Sequence, residues 1–106
     1  MKHHELEISG SFQVESGESL PGIKISYSTS GTYEPSKRRV IWVCHALTGN
    51  ADVEGWWPGL FGADKCYDPS ECFYVCANVI GSCYGSTGPI HVPESHRFYN
   101  FPKVTI

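Results

Sequence analysis

The sequence predicts an α/β fold in which an antiparallel ribbon precedes parallel central strands, and three observations carry that reading. Val40–Cys44 and Phe73–Ile80 are continuous apolar, β-branched and aromatic runs without polar alternation, the pattern of strands covered on both faces of a parallel sheet. About 28 residues separate the two runs, room enough for a crossover connection. Each run then empties into a small-residue or polar turn: His45-Ala46-Leu47-Thr48-Gly49 after the first, and Gly81-Ser82-Cys83-Tyr84-Gly85-Ser86-Thr87-Gly88-Pro89 after the second. Parallel strands so joined point both turns at one sheet edge, where open α/β sheets bind their ligands.

The remaining elements follow in chain order. Met1-Lys2-His3-His4-Glu5-Leu6-Glu7-Ile8 lacks a signal-type apolar run, and no stretch approaches transmembrane length, so the expected setting is the cytoplasm. Phe12–Glu15 reads as a strand, Ser16–Ser19 as a turn and Ile23–Ser28 as an alternating strand with one wet face. Together they form the ribbon. The Gly- and Pro-containing polar stretch Ser30–Arg39 is a surface loop before the first central strand. Trp56-Trp57-Pro58-Gly59-Leu60-Phe61-Gly62 interrupts helical periodicity, so a helix in the crossover is short. Beyond Pro89, Pro93 and Pro102 leave an extended loop. Such a sheet is incomplete: it has an unpaired edge and no long amphipathic helix to cover it, so these residues alone are expected to be marginally stable or aggregation-prone.

Composition narrows the function classes. By length alone the 106 residues fit one small domain without an internal boundary, and the hydrophobic fraction of 41% can supply a core. A net charge of −3 with scattered signs provides no basic stripe for nucleic acid and no polybasic segment for a membrane surface. The five cysteines are an odd number, and Cys44 and Cys76 fall in the predicted buried strands, where a thiol packs as a small hydrophobe. All five are expected to be reduced.

Other segments carry chemistry-bearing residues. Gly81-Ser82-Cys83-Tyr84-Gly85 has the G-x-C-x-G frame of a nucleophile elbow, but Pro89 and Pro93 break the helix that should follow, so Cys83 is not the expected nucleophile. The same segment lacks the Lys of a P-loop. Cys66, Cys72 and Cys76 with His91 and His96 contain no C-x-x-C pair, and Pro93 keeps the two histidines off a shared helix face, so no metal is expected. His45 is expected to bond loop backbone, and Trp56 and Trp57 to pack rather than form a stacking platform for a nucleotide.

His45-Ala46-Leu47-Thr48-Gly49, Trp56-Trp57-Pro58-Gly59-Leu60 and Asn78-Val79-Ile80-Gly81-Ser82-Cys83-Tyr84-Gly85-Ser86-Thr87-Gly88-Pro89, in this order and spacing, closely resemble the amino-terminal part of homoserine O-acetyltransferases. The resemblance runs from about Phe12 to the last residue. It implies an α/β-hydrolase fold and an acyltransferase of methionine biosynthesis, with acetyl-CoA as acyl donor, L-homoserine as acceptor and no resident cofactor. It also implies a homodimeric parent whose Ser, Asp and His triad lies beyond these residues, so that the chain by itself is inactive. By the same resemblance the Leu47 amide is an oxyanion donor, Ala46, Thr48 and Gly49 belong to the substrate-binding turn, and Tyr84, Ser86 and Thr87 supply hydrogen bonds or loop structure to the substrate site. Asn50-Ala51-Asp52-Val53-Glu54 departs from the His-containing version common in that family, which leaves the acyl acceptor open. A sibling enzyme using succinyl-CoA or accepting serine, and a truncated non-catalytic interaction module, are the alternatives.

Overall fold

A computed structural model describes residues 1–36 and 38–105. Its four strands are β1 (Lys2–Gln13), β2 (Ser19–Ser30), β3 (Arg39–Val43) and β4 (Cys72–Ala77), with one short helix α1 (Val53–Trp56) between β3 and β4. They form a mixed sheet in the order β1-β2-β4-β3. The β1–β2 hairpin is the predicted antiparallel ribbon, and β3 and β4 are the predicted parallel pair. In register, Val43 of β3 faces Cys76 of β4, so both strands end at the same edge. On the other side of β4, β2 runs antiparallel with Tyr27 opposite Ala77 and Ser30 opposite Tyr74.

The ribbon begins earlier than the sequence suggests. β1 starts at Lys2 and stops at Gln13, and Val14–Glu18 form the turn, closed by Val14 N–H to Glu18 O (2.9 Å) and Gly17 N–H to Val14 O (2.9 Å). Gly17 there has φ +87°, a value that suits a residue without Cβ. The expected strand at Phe12–Glu15 is therefore half strand and half turn.

The chain forms two compact units. One comprises Met1–His4 with Tyr27–Ala77, and its core is Val43, Ala51, Val53, Phe61, Cys72, Tyr74 and Cys76. The other comprises Glu5–Ser26 with Asn78–Ile106, and its core is Leu20, Ile23 and Val92, with Phe12, Ile25, Ile80 and Phe101 packed against them.

In the first unit the expectation of strands covered on both faces is corrected. On β4, Cys72, Tyr74 and Cys76 are fully buried while Phe73, Val75 and Ala77 are half-buried. β3 ends at Val43, with Cys44 exposed beyond it, and Val40 and Trp42 are 52% and 66% exposed. The reason is position: β3 is the last strand of this sheet, and the core backs only the face carrying Val43. An apolar run reads as doubly covered, yet half of its covering is not among these residues.

Thiol chemistry follows this burial. Burial pushes the Cys76 thiol up to about 11, the His45 backbone N–H only partly opposing it, and burial likewise raises Cys72. Cys44, Cys66 and Cys83 are exposed. A thiol reagent at mild alkaline pH is expected to modify these three quickly and to reach Cys72 and Cys76 only on denaturation, when all five should titrate. A bridge found in freshly prepared denatured protein, or equal native reactivity at all five, would contradict this.

Candidate active site

The first candidate segment leaves β3 at the edge that β3 and β4 share. Gly49 N–H donates to Ala46 O at 2.7 Å, closing a four-residue turn with Leu47 and Thr48 at its two central positions. Among the described residues neither central amide has a hydrogen-bond acceptor. The Leu47 side chain is 93% exposed, so in this unit the residue presents an amide and little packing. His45 Nδ1 lies 2.8 Å from Ala46 O, the loop-backbone bond expected of it. A carbonyl only accepts, so Nδ1 carries the proton. Nε2 is buried and has no partner among the described residues, and burial keeps it from reaching a substrate as a general base.

The chain then turns into α1 under local control. Asn50 Oδ1 accepts from Asp52 N–H (2.9 Å), Asp52 Oδ1 caps the helix by accepting from Gly55 N–H (3.3 Å), and the Trp56 indole donates to Asn50 O (3.0 Å). Trp57 stacks on Phe61 with an interplanar angle of 3°. Both indoles are thus engaged in loop structure, as expected of them.

Glu54 of α1 accepts a hydrogen bond from the buried Tyr74 hydroxyl. Partial burial raises the Glu54 carboxyl, but hydrogen bonds from Tyr74 and Ser30, with the amino terminus nearby, outweigh it and hold the group below its usual value of 4.5. A carboxylate lowered on folding stabilises the fold above its unfolded value and loses that contribution as pH falls through the folded value. Glu54→Gln should therefore lessen the fall of stability below about pH 4.5 while changing its shape little at neutral pH, as read by urea midpoints across pH. An unchanged acid limb would mean that Glu54 carries none of it.

The second candidate segment belongs to the other unit. Gly81 and Gly85 have φ of +92° and +97°, and Gly81 N–H donates to Thr87 O at 2.7 Å, folding residues 81–87 back on themselves. Ser86 and Thr87 are buried at 0% and 6%, and their hydroxyls are spent on backbone. Ser86 Oγ accepts from Ser26 N–H (2.9 Å) and donates to Asn78 O (2.6 Å), while Thr87 Oγ1 accepts from Lys24 N–H (2.7 Å). Asn78 Nδ2 completes the cluster by donating to Tyr84 O (2.8 Å) and Ser26 Oγ (3.1 Å). Of the two roles expected of Ser86 and Thr87, these bonds supply loop structure. Tyr84 is 42% exposed and Cys83 is exposed. No α-helix follows Cys83 among the described residues, so nothing there completes an elbow.

Sequence reasoning missed Ser26 and Asn78, which organise this segment. Their signal was weak: Ser26 falls with Lys24 and Ser28 on the face that the alternation marks as wet, and Asn78 lies directly after β4. Among the described residues no helix is long and apolar enough to cross a membrane, and no three His, Cys, Asp or Glu side chains gather in a metal-binding arrangement.

No family model matches the chain. Homoserine O-acetyltransferase of Chlorobaculum parvum is 53% identical over 98 residues, which is 90% of this chain and 28% of that protein. Among solved structures, an acetylester hydrolase from Corynebacterium glutamicum superposes with a TM-score of 0.81 at 26% identity, covering 97% of this chain and 29% of that one. Homoserine O-acetyltransferase from Bacillus anthracis does so with a TM-score of 0.80 at 24% identity over 98% of this chain and 32% of its own, a likeness of fold. The chain thus spans less than a third of the length of the proteins it matches. It is a homologue of the homoserine O-acetyltransferases, corresponding to an amino-terminal portion of these α/β-hydrolase-fold proteins.

Proposed function

We propose that this chain is part of a single α/β-hydrolase domain in a cytoplasmic enzyme that transfers acetyl from acetyl-CoA to the hydroxyl of L-homoserine. In that enzyme a Ser activated by a His–Asp pair, all supplied by the rest of the parent, attacks the thioester. Its hydroxyl proton passes to the His, the thioester carbonyl becomes a tetrahedral oxyanion, and collapse expels CoA and leaves an acetyl-enzyme. The homoserine hydroxyl then attacks the acetyl-enzyme by the same route in reverse. The contribution of this chain is the Leu47 N–H, one of the donors to the oxyanion, carried on the Ala46–Gly49 turn with Thr48 beside it. Tyr84 supplies a hydrogen bond to the substrate, and Ser86 and Thr87 hold its loop in shape.

The observation that carries the reading is the turn itself: it follows β3 at the edge where the parallel pair β3 and β4 ends, its central amides have no acceptor among the described residues, and Leu47 is 93% exposed. Identity of 53% to a homoserine O-acetyltransferase favours an alcohol as acyl acceptor. Likeness to an acetylester hydrolase at 26% identity supports water as the second reading. The complete parent decides between them: release of CoA from acetyl-CoA should depend on L-homoserine and yield O-acetylhomoserine, whereas homoserine-independent release would support hydrolysis. The 106 residues alone should release no CoA above background, because an oxyanion donor without a nucleophile has no covalent step to stabilise. Robust turnover by the isolated chain, lost in Cys83→Ala, would overturn this and restore the G-x-C-x-G reading.

A further inference from the structure

The Ala46 carbonyl and the Leu47 N–H are the two ends of one peptide group. That carbonyl receives two hydrogen bonds, from Gly49 N–H at 2.7 Å and from the His45 imidazole at 2.8 Å, while the N–H at the other end has no acceptor among the described residues. Donors at a carbonyl draw electron density through the amide resonance and make the N–H of the same peptide a stronger donor. The imidazole makes this bond with Nδ1 bearing the proton, while its buried Nε2 has no partner among the described residues.

We infer that His45 is a positioning residue for the oxyanion donor: through Nδ1–H on the Ala46 carbonyl it orients and polarises the Ala46–Leu47 peptide. The inference rests on the acyl-transfer reading above. It assigns His45 no proton transfer with substrate. The Gly49 bond closes the turn whichever residue stands at 45, so the imidazole adds to donor strength rather than to the existence of the turn. A strengthening of about 10–30% acting on a donor worth roughly 10²–10³ in rate corresponds to about twofold to eightfold in kcat.

Two measurements on the complete parent test this separately from the function. Ala46–Leu47 is the one Ala-Leu pair in this sequence, so labelling with carbonyl-¹³C alanine and ¹⁵N leucine gives few correlated signals, and the relevant one is that removed by Ala46→Ser. His45→Leu should move its carbonyl and amide-nitrogen shifts upfield, and His45→Asn, whose side-chain amide places an N–H near the Nδ1 position, should largely restore them. In steady-state kinetics His45→Leu should lower kcat about twofold to eightfold with KM for acetyl-CoA nearly unchanged, and His45→Asn should recover most of the loss. An unmoved signal in His45→Leu overturns the inference whatever the activity. A moved signal with unaltered kcat overturns the catalytic contribution. A wild-type parent that forms no O-acetylhomoserine instead overturns the functional reading, while the shift still decides whether His45 acts on this peptide.

Discussion

In the complete parent, Leu47→Pro is expected to lower kcat by roughly 10²–10³, equivalent to about 3–4 kcal/mol of transition-state stabilisation, whereas Leu47→Ala should cost far less. The two substitutions separate the amide from the side chain. Proline removes the N–H, and the second position of a four-residue turn is one that proline occupies readily, so the Gly49-to-Ala46 bond can survive the change. Alanine keeps the N–H and removes a side chain that is 93% exposed in this unit. KM for acetyl-CoA should move little in either variant, since the donor acts on charge that develops after binding. A folded proline variant with near-normal kcat would remove this amide from the mechanism. Equal damage from both would instead mean that Leu47 packs against the remainder of the parent.

Much of this arrangement is legible in the residues because it is written in local patterns. β-branched and aromatic runs mark β3 and β4, Gly and Pro mark the turns after them, and Trp57-Pro58-Gly59 limits α1 to a single turn. Burial is less legible. Val40 and Trp42 look like interior residues because an unbroken apolar run reads as covered on both faces, whereas among the described residues the core backs only the other face of β3. The amino-terminal part of β1 is hidden for a different reason: Glu5, Glu7 and Ser9 flank Leu6 and Ile8, and with Leu6 and Ile8 themselves 50% and 42% exposed, the alternation marks no core face here. The buried hydroxyls of Ser86 and Thr87 accept from the Ser26 and Lys24 backbone N–H groups, 60 and 63 residues away in sequence, and that of Ser26 from the Asn78 side chain, 52 residues away, and short-range pattern carries no trace of such partners. His45 is the intermediate case. Its bond to the next residue's carbonyl is local and foreseeable, but the coincidence of that carbonyl with the Leu47 peptide becomes visible only once the Gly49 bond and the free amide are on the same turn.

Tyr74→Ala is expected to destabilise the complete parent by about 3–5 kcal/mol, and Tyr74→Phe by about 1.5–3 kcal/mol, as read from urea denaturation. Tyr74 is fully buried on β4, meets Phe61 edge-to-face at 5.1 Å and donates its hydroxyl to Glu54 of α1. Burial and then the Glu54 bond raise its phenol above the usual range, so it remains a donor through neutral pH. The alanine variant loses ring and hydroxyl together and opens a cavity, while the phenylalanine variant keeps the packing and leaves the Glu54 carboxylate short of one donor. Their difference therefore isolates the ring. Tyr74→Phe as damaging as Tyr74→Ala would assign the whole effect to the hydrogen bond, and a neutral Tyr74→Phe would make that bond idle. The intermediate outcome matters for function because α1 begins four residues after Gly49, at Val53. Anchoring Glu54 to β4 ties down the segment that leaves the turn, just as β3 ties down the segment that enters it, so a loss of kcat in Tyr74→Phe that exceeds its loss of folded protein would show that the Leu47 amide is held from both sides.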